Sequence, residues 1–204
     1  CPYEAIAMVG VPGGRADAVA RVDPELCVSC GICAGSCAPM GVGPRGRTGR
    51  DQLSAVRAFV ADRAWTGREV VVVGCAHGPL PDEGADPEAV PYPVPCAGAL
   101  HTSVVEFLLR AGAGAVCVVA CPPRDCWNRE GARWAAARLF EGREAELQER
   151  VDRRRVALVY ASAAERRAVI AAVAALRGTV AAAQAAAAEE AELVRPCEPV
   201  AEGS

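Results

Sequence analysis

No lysine occurs among the 22 basic residues of this 204-residue chain; every one is arginine. Together with abundant alanine, this reads as the codon bias of a GC-rich genome and not as a functional feature. Positive charge is not in excess, since the formal net charge is −3, and that excludes an extended nucleic-acid surface. No apolar run looks long enough to span a bilayer, and no basic, apolar, small-residue leader opens the chain. The sequence begins on Cys1 instead of methionine, so the reading expects a piece of a longer chain. Catalytic signatures are missing too. There is no phosphate loop and no nucleophile–base pair, and Gly10, Gly13 and Gly14 lack the strand-to-helix context of a dinucleotide fingerprint.

Cysteine is what the chain has in plenty, with eleven residues in a composition that is 52% hydrophobic and 23% charged. That balance is globular, and the length suffices to bury a core without disulfide staples. Thiolates that bind soft metals must stay reduced, which favours a cytoplasmic setting, or the cytoplasmic face of a membrane complex.

Two textures divide the chain. Residues 1–47, rich in Cys, Gly and Pro, have only short apolar runs such as Ala5–Met8 and need a staple to fold. A linker region, 48–67, carries an amphipathic helix over Asp51–Ala64 with Leu53, Val56, Phe59 and Val60 on one face. From residue 68 to 180 the pattern is α/β. Strands are expected at Val70–Val73, Ala115–Ala120 and Val156–Ala161, with a proline-rich loop (Pro79–Pro93) leading to a short extended segment, Pro93–Cys96. Helices are expected at Leu100–Ala111, Arg129 to about Val151, and Ala164–Leu176, the last ended by Gly178. This alternation implies a small parallel sheet flanked by helices. Residues 181–204 read as a flexible tail.

Within the first segment, Cys27-x2-Cys30-x2-Cys33-x3-Cys37 is the spacing of a bacterial ferredoxin motif. Three thiolates on one tight loop can each reach a different iron of a cubane, and Gly31 lets the backbone fold closely around it. A zinc knuckle or a disulfide loop is the alternative, although zinc motifs usually pair two distant Cys-x2-Cys units. Cys1-Pro2 looks like the closing end of a matching motif. Residues 1–44 are thus similar to the second half of a two-cluster [4Fe–4S] ferredoxin domain. The resemblance implies that Cys1, Cys27, Cys30 and Cys33 hold one cubane. It implies that Cys37, followed by Ala38 before Pro39, ligates another cubane whose remaining ligands lie before residue 1.

In the α/β segment, Cys75, Cys96 and Cys121 each end an extended segment, and ligands of open parallel sheets gather at the carboxyl ends of strands. Cys126 follows Cys121 after four residues, a spacing able to loop around one edge of a two-iron cluster. Pro122 and Pro123 stiffen that loop. Buried structural thiols, a structural zinc and a catalytic dithiol remain open on spacing alone. Val94-Pro95-Cys96-Ala97-Gly98, Gly114-Ala115-Val116, Ala120 to Cys126, Glu130-Gly131 and Ser162-Ala163-Ala164-Glu165 resemble the delta subunit of methyl-viologen-reducing hydrogenase, from about Arg68 to Gly178. This resemblance implies a [2Fe–2S] cluster on Cys75, Cys96, Cys121 and Cys126. It implies an electron-transfer subunit between a hydrogenase-like or other dehydrogenase module and a flavoprotein of the heterodisulfide reductase type. The rival is a thiol- or zinc-dependent redox enzyme fed by the ferredoxin segment.

Four other residues are assigned bland roles. Cys117 reads as strand core and Cys197 as an incidental tail residue. His77 reads as a loop histidine that could tune or ligate a cluster, and His101 as a solvated residue opening a helix.

Overall fold

The first 44 residues bury few side chains, and their order is local. Ile6–Gly10 (β1) and Ala18–Val22 (β2) pair antiparallel, Ile6 opposite Val22 and Gly10 opposite Ala18. Sequence reading saw only a short apolar run here. Met8, Val9, Val19 and Val22 stay exposed on this hairpin, and an isolated two-stranded hairpin is marginal in water. A single helical turn, Ile32–Gly35 (α1), anchors the segment by burying Ile32 and Ala34. The computed structural model describes residues 1–13, 17–75, 77–82 and 84–193; Cys197 lies outside them.

Thr48 and Asp51 form a capping box that starts Gly49–Ala61 (α2): each side chain accepts the other's backbone N–H. Val56 is fully buried, and Leu53, Phe59 and Val60 pack against the same core. So α2 is not a linker between two units, as the sequence reading has it. It is one of the helices covering the sheet.

That sheet has four parallel strands in the order β4-β3-β5-β6. They are Val70–Cys75 (β3), Ala89–Val94 (β4), Ala115–Ala120 (β5) and Val156–Tyr160 (β6). Every residue of β3 and β5 is buried, as expected for inner strands covered on both faces. The sequence reading places a loop where β4 runs. Pro91 and Pro93 mislead because proline cannot donate to a ladder. On an edge strand two prolines two residues apart can leave both missing donors on the unpaired side, and β4 is an edge.

Alternation along the strands sorts side chains between two cores. Val71, Val73, Cys75, Val116, Val118 and Ala120 share one core with α2, with Thr102–Arg110 (α3) and with Gly131–Phe140 (α4). On the opposite face, Val70, Val72, Ala115, Cys117 and Val119 meet Val169, Val173, Leu176 and Val180 of Arg166–Leu193 (α5). This is the expected α/β architecture of a small parallel sheet flanked by helices.

Two helices differ in length from expectation. Gly142, with φ 69°, follows the end of α4, so the helix stops at Phe140 instead of running to Val151. The chain then turns back to bury Leu147. Conversely, α5 passes through Gly178 and continues to Leu193, where a flexible tail was expected from residue 181. A mid-helix glycine costs about 1 kcal/mol. Here the alanine run beyond it, the buried Val180 and the bond from Gln184 Nε2 to the Gly67 carbonyl (3.1 Å) offset that cost. Residues Arg166–Glu189 are also long and apolar enough to cross a membrane, with a mean hydropathy of 1.6. The expectation that no apolar run is long enough is thereby corrected, although this helix puts one face on the sheet.

Candidate metal centres

Four cysteines surround one cavity in the first segment, and four more lie as two pairs in the α/β segment. Cys1, Cys27, Cys30 and Cys33 all line one cavity of ≈ 180 Å³, together with Tyr3, Ile6, Val28, Val42 and Pro44. Local backbone geometry makes this possible. Gly31 takes φ 80°, a left-handed conformation that costs glycine nothing, and caps the turn of α1 between Cys30 and Cys33. Asp23 N–H donates to the Ala5 carbonyl (2.8 Å), and Cys27 N–H donates to the Asp23 carbonyl (3.1 Å). These bonds fasten the cysteine loop to the strand that follows Cys1. Burial, then the Cys30 charge, pushes the Cys33 thiol above its ordinary value. Cys37 does not line this cavity. It is half-buried, and its carbonyl lies 3.3 Å from His101 Nε2. His101 itself is a buried cap of α3, its Nδ1 accepting from Ser103 N–H, and not a solvated residue.

The second group sits at the carboxyl ends of three neighbouring strands. Cys75 ends β3, Cys121 directly follows β5, and Cys96 lies two residues beyond β4. Cys75 Sγ and Cys121 Sγ are 3.5 Å apart. Two thiolates sharing one tetrahedral metal, with metal–sulfur bonds of about 2.3 Å, stand about 3.8 Å apart. Cys96 and Cys126 meet at Gly131, whose hypothetical Cβ would lie 3.4 Å from one sulfur and 3.6 Å from the other. Cys126 Sγ also accepts the Ala132 N–H (3.4 Å). Close packing fixes this junction: a Cβ on Gly98 would fall 2.5 Å from the Gly131 Cα, so only glycine lets the two backbones cross.

Arg138 of α4 locks the same junction to the first segment. Its buried guanidinium donates to the Gly98 carbonyl (2.6 Å) and to Ser36 Oγ (3.2 Å). Burial pulls its pKa down to about 10, which still leaves it cationic at neutral pH. No carboxylate is hydrogen-bonded to it among the described residues.

Electrostatics favour the neutral form of these thiols. Burial pushes the Cys96 thiol up, countered in part by a hydrogen bond from the Asn128 side chain. Burial and the neighbouring Cys75 push Cys121 up. Like charges gathered in low dielectric disfavour one another, so the thiolates cannot all form without compensating positive charge. Among the described residues no three His, Cys, Asp or Glu side chains are set to hold a single metal ion. A polynuclear cluster, with thiolates on different irons, spreads its ligands more widely than one ion does. Nor does any imidazole or carboxylate hydrogen-bond these thiols among the described residues. His77 instead stacks on the exposed Trp127 ring at 4.6 Å.

Cys117 lies on the other face of the sheet from Cys75, fully buried, its thiol pushed up to about 12 by burial. It belongs with α5 and with neither group. Tyr3, Asn128 and Arg138 escaped the sequence reading, and Gly131 entered it only as part of the Glu130-Gly131 resemblance. The only available signal was that Asn128 is the sole asparagine in the chain, two residues after Cys126.

A family model described as methyl-viologen-reducing hydrogenase, delta subunit, matches residues 82–183, half of the chain. That span holds Cys96, Cys121 and Cys126 but begins after Cys75. No curated protein matches the chain.

Proposed function

The chain belongs to the methyl-viologen-reducing hydrogenase delta subunit family, and from that premise we propose that it is an iron–sulfur electron-transfer subunit. Membership makes it a redox-related subunit associated with other redox subunits. In our reading it relays single electrons between a hydrogenase-like or other dehydrogenase module and a flavoprotein of the heterodisulfide reductase type.

What supports the reading is one set of four cysteines around a single cavity, with two further cysteine pairs, Cys75–Cys121 and Cys96–Cys126, near the ends of adjoining strands. Cys1, Cys27, Cys30 and Cys33 would hold a four-iron cluster. Cys75, Cys96, Cys121 and Cys126 would hold a two-iron cluster. Cys37, outside the cavity, would serve a further four-iron cluster completed by other cysteines. Such clusters supply one-electron chemistry. The protein's own residues supply thiolates, exclude water and set hydrogen bonds to sulfur.

The rival, a thiol- or zinc-dependent redox enzyme, draws on the Cys75–Cys121 contact. Among the described residues no base is hydrogen-bonded to either thiol, and Cys75 is 2% exposed. Anaerobic titration with reduced viologen separates the two. The isolated holoprotein is expected to take up electrons stoichiometrically and to turn over no organic substrate. Sustained reduction of a disulfide substrate by the chain alone would contradict the carrier reading.

A further inference from the structure

A buried cation sits between the two cysteine-bearing segments, and its hydrogen-bond partners neutralise none of its charge. Arg138, on α4, is 1% exposed. Its Nη2 donates to the Gly98 carbonyl (2.6 Å) and reaches the Leu100 carbonyl (3.5 Å), while Nη1 donates to Ser36 Oγ (3.2 Å). All three acceptors are neutral. Nε has no partner, and no carboxylate pairs with the guanidinium, among the described residues. The seat is shaped for this side chain. A Cβ on Gly35 would fall 2.8 Å from Nη2, so a larger residue there would displace the guanidinium. A buried cation without a counter-ion is costly, and the paired carboxylates of this chain leave that cost standing.

Packing leads from the guanidinium to the cysteines. Gly98 follows Cys96 by two residues, and its hypothetical Cβ would fall 2.5 Å from the Gly131 Cα. A Cβ on Gly131 would in turn lie 3.4 Å from Cys96 Sγ and 3.6 Å from Cys126 Sγ. Guanidinium, Gly98, Gly131 and two thiols therefore form one continuous stack. A two-iron cluster on four thiolates is anionic, and it gains a further negative charge on reduction.

We propose that Arg138 is the built-in counter-charge of the centre on Cys75, Cys96, Cys121 and Cys126, a fixed cation that favours its reduced form and so raises its potential. The inference rests on the iron–sulfur reading above. A charge buried this deeply is screened little by salt, so the effect persists at high ionic strength.

The test is an EPR-monitored redox titration of the anaerobic holoprotein and of its Arg138→Gln, Arg138→Lys and Ser36→Asp forms. Arg138→Gln keeps an amide donor but carries no charge, and is expected to move the two-iron midpoint to more negative potential. Ser36→Asp moves it the same way, because it sets a carboxylate where the Ser36 hydroxyl now accepts and neutralises the guanidinium in place. Arg138→Lys loses the planar fork but keeps the charge, and stays closer to the native midpoint than Arg138→Gln does. A purely structural clamp would not produce that order. If Arg138→Gln fails to fold, the Ser36→Asp shift decides the matter. Native two-iron midpoints in both charge-neutralised forms would overturn the counter-charge while leaving the carrier reading intact. A two-iron signal missing from the unsubstituted protein would overturn both.

Discussion

Alanine in place of any one of Cys75, Cys96, Cys121 or Cys126 is expected to abolish or alter the two-iron EPR signal and to leave the four-iron signal in place. Losing one thiolate exposes an iron coordination position and forfeits binding energy that is coupled to folding. The four-iron signal survives because its four cysteines surround a cavity of their own. Cys117→Ala is the internal control. Cys117 is as buried as Cys75 but faces α5 across the sheet, so its loss should cost about 1 kcal/mol of packing and no cluster. A two-iron signal that vanishes with Cys117 and persists without Cys75 would show that the fourth ligand is misassigned.

Cys30→Ala is expected to have an effect as large on the other segment. Ala5, Ile32 and Ala34 are its buried apolar side chains among the described residues before α2. The four-iron cluster would then be the core that holds β1, β2 and the cysteine loop together. Without it, trypsin should cut rapidly after Arg21, Arg45 and Arg47, whereas the sheet and its helices persist as a resistant fragment. Trypsin suits the test because the chain offers only arginine. A digestion pattern identical to that of the unsubstituted protein would mean that the segment is held by its own packing and not by a cluster.

Sequence made some of this legible and hid the rest, for physical reasons. The Cys27–Cys33 spacing is local, and a loop of that length has little freedom in how it presents its thiols. Strand β3 announced itself as a β-branched run and β5 and β6 as short apolar runs, and the cysteines at the ends of β3 and β5 followed from them. Strand β4 stayed hidden because Pro91 and Pro93 signal a loop unless the strand is known to be an edge. Gly142 and Gly178 show the limits of a single glycine as a stop signal. The first ends α4, and the second sits inside α5, where alanine propensity and the buried Val180 prevail. The hydrogen bond from the Tyr3 hydroxyl to Asn128 Oδ1 spans 125 residues, and no periodicity or spacing encodes such a contact. Arg138 was equally invisible, since an arginine in a helix reads as solvated until its partners, Gly98 and Ser36, are seen to enclose it.

Mössbauer spectroscopy of the anaerobically purified, iron-57-enriched protein tests the central claim most directly, because it counts every iron by cluster type. The account predicts a four-iron and a two-iron component in the same molecule, with the two-iron component lost in Cys96→Ala and retained in Cys117→Ala. A spectrum with the four-iron component alone, and zinc or free thiols at Cys75, Cys96, Cys121 and Cys126, would contradict it.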